Sequence, residues 1–232
     1  MILTKRRPLL LGHRGARRRA PENTLTAFDL ALAHGCDGFE FDVRCTADRY
    51  AVLCHDPQIA DLPVAQTAYS AIVQKHRSAA PAGARNDCDI LPCLEDVVQR
   101  YGGRAFLDIE LKVAGMEDEL ITIVKPLAAN TYVVSSFLPE VLQRIHYLQP
   151  AIPLGFICDQ EQTSARWKEL PCGVVISERK LVTPAMIEAI HEAKKQIFVW
   201  TVNLEAEMLR LGKAGVDAII SDDTELLGRV FS

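Results

Sequence analysis

The chain has 232 residues, about half of them apolar and 24% charged, with a formal net charge of −4. This composition excludes a disordered or fibrous chain and fits a soluble globular protein able to bury a sizeable core. The mildly negative charge gives no footing for non-specific nucleic-acid binding, and no apolar run is long enough to span a bilayer.

The amino terminus, "MILTKRRPLLLGHRG", has a basic flank but too short an apolar run for a secretory core. Seven cysteines, with no C-x-x-C pair, point to a reducing, cytoplasmic compartment. Cys45, Cys54 and Cys158 sit in or beside strand-like runs and read as small buried hydrophobes. Cys88 and Cys93 lack the clustered partners that zinc requires.

"PLLLGH" is a short apolar strand ending at His13 and Arg14. Arg14, Arg17, Arg18 and Arg19 crowd the next turn, which is either a solvated turn or a phosphate-attracting rim. "PENTLTAFDLALAHG" places Leu25, Phe28 and Leu32 at helical spacing, with Asn23 or Thr24 as cap and Gly35 as stop. "FEFDV" and "AVLCH" follow as strands. Too few residues lie between them for a parallel return, so they form an antiparallel hairpin with "TADR" at its tip. Folding about Ala47 and Asp48 sets His55 opposite Glu40 or its neighbour.

"SAAPAGARNDCD" reads as a surface loop leading into the helix "LEDVVQRYGG". "AFLDIELK" is a strand with Leu107, Ile109 and Leu111 on one face. "YVVSSF", "PLGFIC", "GVVIS", "IFVWTV" and "AIISD" are further strands. Between them "LPEVLQRIHYL", "SARWKEL", "TPAMIEAIHEAKK" and "LEAEMLRLGKAG" carry helical spacing. This alternation predicts a parallel sheet covered by helices. The expected fold is an α/β TIM (β/α)₈ barrel in a single domain, residues 1–232, with an extra antiparallel hairpin strand after strand 2.

Barrel enzymes carry their chemistry at the carboxyl ends of the strands, and the polar residues collect there. Glu40 and Asp42 lie two apart on one strand face, as do Asp108, Glu110 and Lys112. Inward carboxylates repel one another and cost desolvation energy. An ion-pair network with Arg14, Lys112 and Arg44 would hold them, and so would a hard divalent cation. The two histidines beside them favour the cation. His34, His76, His146 and His191 lie in helix-like or loop runs and carry no such signal. His13 and His55 each end a strand next to charge, as an acid and base would near neutral pH. With Arg14 and Lys112 on a phosphate, the set describes phosphoryl transfer or phosphodiester cleavage.

"HRG" at 13–15, "PENT" at 21–24, "EFDV" at 40–43, "HD" at 55–56, "ELK" at 110–112, "VWTVN" at 199–203 and "GVDAIISDD" at 215–223 resemble, in order, the glycerophosphodiester phosphodiesterases of the compact cytosolic bacterial type. The resemblance implies hydrolysis of a small-molecule glycerophosphodiester to glycerol 3-phosphate and an alcohol. It implies one divalent cation, Mg²⁺ or Ca²⁺, on Glu40, Asp42 and Glu110. It makes His13 and His55 the acid–base pair and puts Arg14 and Lys112 on the phosphate. Trp200 flanks the glycerol side, against a competing reading as a core tryptophan. Asn203 reads as a pocket residue or a cap of the next helix. A cyclic phosphate formed by the glycerol hydroxyl and direct attack by water both remain open, as does the role of each histidine. Two departures stand out. The segment after "HD" lacks the Arg-Thr-Thr run common in the family, and Ala218 stands where glycine is usual. A lysophospholipase D on the same barrel and a catalytically silent phosphate binder are the alternatives. Nothing in the sequence separates a monomer from a homodimer.

Overall fold

The computed structural model describes residues 7–77 and 90–232. The expected loop at 78–89, with Cys88, lies outside them. In chain order the strands are β1 (Leu9–His13), β2 (Gly38–Cys45), β3 (Ala51–Leu53), β4 (Gln58–Ile59), β5 (Leu62–Pro63), β6 (Phe106–Leu111), β7 (Tyr132–Ser136), β8 (Leu154–Cys158), β9 (Val174–Glu178), β10 (Gln196–Trp200) and β11 (Ala218–Ser221). The α-helices are α1 (Leu25–Ala33), α2 (Tyr69–His76), α3 (Leu94–Tyr101), α4 (Glu117–Val124), α5 (Pro139–Leu148), α6 (Pro184–Glu192), α7 (Glu205–Ala214) and α8 (Thr224–Phe231).

Eight strands close a parallel ring in the order β1-β11-β10-β9-β8-β7-β6-β2, and β2 pairs back onto β1. β3 is the extra strand, antiparallel to the end of β2. The expected TIM barrel with a hairpin strand after strand 2 is therefore the fold observed. The hairpin register pairs Val43 with Leu53. Continued inward, it sets His55 against Phe41, the neighbour of Glu40, although the ladder itself stops at Leu53.

Side-chain alternation divides each ring strand between two environments. Leu107, Ile109 and Leu111 face outward and pack under the helices, with Phe28, Phe39 and Tyr101 in the same core. Phe28 stacks on Phe39 with ring centroids 4.1 Å apart. Leu11, Val133, Ile157, Val174, Ile176 and Phe198 face inward and fill the barrel's lower layers.

Thr24, not Asn23, caps α1; its hydroxyl accepts from the Ala27 N–H at 3.2 Å. "SARWKEL" forms only a 3₁₀ turn, Arg166–Lys168. Trp167 drops into the core there, and Pro171 closes the segment before a full helix can develop. Helices α2, α4 and α8 are additions to the elements that spacing predicts.

Gly38 sets the approach of β2 to β6. A Cβ at this position would lie 1.9 Å from the Phe106 carbonyl oxygen. Backbone on both sides leaves no room to yield. That close pairing aligns Glu40 with Asp108 and Asp42 with Glu110. Gly38→Ala is expected to cost more than about 3 kcal/mol in urea unfolding, at the upper end for overpacking. A loss within about 0.5 kcal/mol, the scatter of an innocuous substitution, would show that the contact is not tight.

Candidate active site

The carboxyl ends of the ring strands open on a cavity of about 240 Å³. Of the eight candidate residues, His13, Arg14, Glu40, His55, Glu110, Lys112 and Trp200 line it. Asp42 lies fully buried beside them. One carboxylate oxygen each from Glu40, Asp42 and Glu110 lies within 4.8 Å of the others, the one such cluster among the described residues.

Cations meet part of this charge. Arg14 Nε lies 3.0 Å from Asp42 Oδ2, and Lys112 Nζ lies 2.7 Å from Glu110 Oε1 and 3.3 Å from Asp42 Oδ1. Asn23, in a left-handed turn at φ 58°, donates its amide to Asp42 Oδ2 at 2.9 Å. Burial opposes charge on Asp42, but Arg14, Lys112 and Asn23 outweigh it and hold its pKa below the ordinary value. The third cation of the expected network is elsewhere, because Arg44 donates to the His55 carbonyl at 2.9 Å.

Asp108 adds a further carboxylate in register with Glu40, with Ser135 Oγ donating to it at 2.6 Å. Burial, then Asp42, Glu110 and Asp108, push Glu40 well above its ordinary pKa. Burial pushes Glu110 and Asp108 each up to about 7. Glu40 Oε1 has no hydrogen-bond partner among the described residues. Buried oxygens in this state are rare unless something positive completes them. A hard cation taking one oxygen from each of three carboxylates fits this donor set.

The histidines are held from behind. His13 Nδ1 lies 2.7 Å from Asp222 Oδ1, and His55 Nδ1 lies 2.7 Å from Asp56 Oδ1. Both Nε2 atoms are left for other work; that of His13 lies 3.9 Å from Glu40 Oε2. Burial lowers the His13 pKa, and the Asp222 hydrogen bond only partly offsets this.

Asn203 does not cap α7, whose N-cap is Leu204. It braces Asp222, donating to Oδ2 at 2.7 Å while its own Oδ1 accepts the Asp222 N–H at 2.9 Å. Asp222, Asn23 and Asp56 are site residues that the sequence pattern does not single out. Their one signal is position, since each lies within one of the short motifs "PENT", "HD" and "GVDAIISDD". The arginine run is committed to pairing. Arg17 meets Glu22 at 2.7 Å, Arg18 meets Asp223 at 2.6 Å and Arg19 meets Glu225 at 2.7 Å, tying this loop to the start of α8. Trp200 is half-buried, its ring 6.5 Å from His13 and edge-on to Phe137 at 5.7 Å.

Asp222→Asn is expected to lower kcat by roughly tenfold to a hundredfold with KM nearly unchanged, through loss of the His13 tautomer. Stability changes too. Burial disfavours the Asp222 charge, but His13, Asn203 and Arg17 outweigh it and bring its pKa down to about 2 from 3.8. That contribution is complete above pH 3.8 and lost as pH falls through 2. Urea unfolding at pH 7 should show a deficit of roughly 1–2 kcal/mol in the variant. Unchanged kcat would remove Asp222 from the site.

The sequence profile of the glycerophosphoryl diester phosphodiesterase family matches residues 13–226. The glycerophosphodiester phosphodiesterase of Caldanaerobacter subterraneus is 28% identical, over 94% of this chain and 96% of its own. The YhdW protein of Bacillus subtilis is 32% identical, over 92% of this chain and 93% of its own. Among solved structures, an Oleispira antarctica phosphodiesterase shares the fold at a TM-score of 0.80 and 24% identity, covering 97% of each chain. On the profile match and these full-length relatives, the chain belongs to the glycerophosphoryl diester phosphodiesterase family.

Proposed function

We propose that this enzyme hydrolyses glycerophosphodiesters, such as glycerophosphocholine or glycerophosphoethanolamine, to glycerol 3-phosphate and an alcohol. The observation that carries the reading is the juxtaposition in one cavity of a three-carboxylate cluster, two cations and two braced histidines. The Oleispira antarctica phosphodiesterase, solved with sn-glycerol-3-phosphate, supports it.

Glu40, Asp42 and Glu110 hold one divalent cation, Mg²⁺ or Ca²⁺, as the family's use of a divalent metal and the unpartnered Glu40 Oε1 both favour. Such a cation would supply Lewis acidity toward the attacking hydroxyl and would offset charge developing on the phosphate. Arg14 and Lys112 orient the phosphate's non-bridging oxygens. Trp200 lies along the glycerol carbons. At Nε2 His13, its pKa lowered by burial, takes the proton of the attacking hydroxyl, water's or the glycerol's own, while Asp222 steadies the imidazolium; in the second case water then opens the cyclic phosphate to glycerol 3-phosphate. His55, more open to solvent, gives a proton to the leaving alcohol at its Nε2.

The described residues of the barrel and its site are read as one domain. Among the described residues no helix is long and apolar enough to cross a membrane. A cavity of about 240 Å³ suits a polar headgroup better than a long acyl chain. Product analysis tests the reading. Glycerophosphoethanolamine should yield glycerol 3-phosphate and ethanolamine, and lysophosphatidylcholine should react at least a hundredfold more slowly. A preference for the lysolipid would overturn it.

A further inference from the structure

The wall opposite the carboxylate cluster has a chemistry of its own. Phosphate-binding and proton-transfer groups sit at the ends of β1, β2 and β6, with His55 on the hairpin. Across the cavity, Phe137 follows β7, Asp159 follows β8 and Trp200 ends β10. Asp159 lies two residues beyond Ile157, whose side chain faces the barrel interior, so alternation turns it toward the cavity. It stands one residue past the Cys158–Ser177 pairing, next to Glu178, which in turn pairs with Trp200.

Asp159 differs from the other carboxylates lining the cavity. Glu40 and Glu110 belong to the metal cluster, and Asp108 is held by Ser135. Asp159 is exposed to the cavity and has no hydrogen-bond or ion-pair partner among the described residues. Glu178, on the next strand, is already engaged, one oxygen accepting the Lys180 N–H at 2.7 Å and the other 4.0 Å from Arg179 Nε. The phosphate-side cations and the carboxylate cluster thus gather at the ends of β1, β2 and β6, with Lys112 Nζ reaching within 5.7 Å of the Phe137 ring, while Asp159, after β8, lines the same cavity as an unpaired carboxylate. Of this second wall, the proposed hydrolysis uses Trp200 alone. An unpaired carboxylate lining a cavity attracts an ammonium group by simple charge complementarity. A phosphodiester of an amino alcohol carries the two complementary charges in one molecule.

We propose that Asp159, lining the same cavity as Phe137, forms a subsite for the cationic headgroup of amino-alcohol glycerophosphodiesters; this rests on the phosphodiesterase reading above. The glycerol carbons lie against Trp200, and the ammonium reaches Asp159 past the phosphate. Neutral and anionic headgroups gain nothing from this wall.

The test is a ratio: kcat/KM for glycerophosphoethanolamine over that for glycerophosphoglycerol, in wild type and Asp159→Asn, with Mg²⁺ or Ca²⁺ present. Wild type should favour the cationic substrate roughly tenfold, mainly through KM, and the ratio should fall to near one in the variant. The preference should also weaken as ionic strength rises. Asp159→Lys should reverse it toward glycerophosphoinositol phosphate, an anionic headgroup. A wild-type ratio near one, or an unchanged ratio in Asp159→Asn, would overturn the proposal. Equal losses on both substrates would do so too, by placing Asp159 on the glycerol. Calorimetric Kd ratios for the same two diesters on His13→Ala/His55→Ala protein, with and without Asp159→Asn, read the same preference without turnover. They separate failure of this subsite from failure of the enzymatic reading.

Discussion

Replacing Glu110 by Gln is expected to cut kcat/KM by about a thousandfold or more and to abolish the response to added divalent cation. The change removes a ligand charge but keeps the side chain's shape and its place above Asp108. The effect on stability runs the other way. Burial raises the Glu110 pKa from 4.5 to about 7, with Asp42 adding to it and Lys112 opposing it. A carboxylate with a raised folded-state pKa favours folding less as it ionises. The chelated wild-type fold should therefore lose stability as pH climbs from 4.5 through 7. Burial does the same to Asp108, whose pKa is also pushed up to about 7. Mg²⁺ or Ca²⁺ should restore the loss, so the cation-induced rise in Tm should grow across that window. Glu110→Gln should show a flatter Tm–pH curve and little cation response. Wild-type turnover in this variant would sink the metal assignment.

His13→Ala is expected to lower kcat by about a hundredfold to ten-thousandfold, the usual range for losing a positioned acid or base. His55→Ala should fall in the same range, and the double variant should lose little more than either alone, because the two act as a unit. The pH profile separates them. Burial, only partly opposed by Asp222, lowers the His13 pKa below 6.5. The acid limb of kcat/KM should therefore break below pH 6.5 in wild type and vanish in His13→Ala. An acid limb that survives His13→Ala unchanged would show that some other group is the base.

Most of the barrel is legible in the sequence, for a definite reason. Strands such as "GVVIS" and "AIISD" are short apolar runs between helix-like stretches, and each repeats the same local signal. The hairpin can be read because its two strands are too close for a parallel return. "SARWKEL" misleads because spacing alone cannot show that Trp167 is buried and Pro171 ends the turn. The charged centre is legible because Glu40, Asp42, Glu110 and Lys112 break the apolar pattern of strands that otherwise bury everything. Their supports are not. Asn23 resembles a cap and Asn203 another, since a short amide before a helix has the same sequence signature in either role. Only folding brings Asp222 within 2.7 Å of His13, across 209 residues of chain. Asp159 gives no signal at all; its meaning comes from the strand ends that surround it.

On the function proposed above, the carboxylates of β2 and β6 hold a divalent cation under a phosphodiester. The most direct test is the release of glycerol 3-phosphate from glycerophosphoethanolamine by chelated protein, titrated with Mg²⁺ and separately with Ca²⁺. The expected result is no release in EDTA and saturable recovery at one cation per chain. Undiminished release in EDTA by folded, metal-free protein would contradict it.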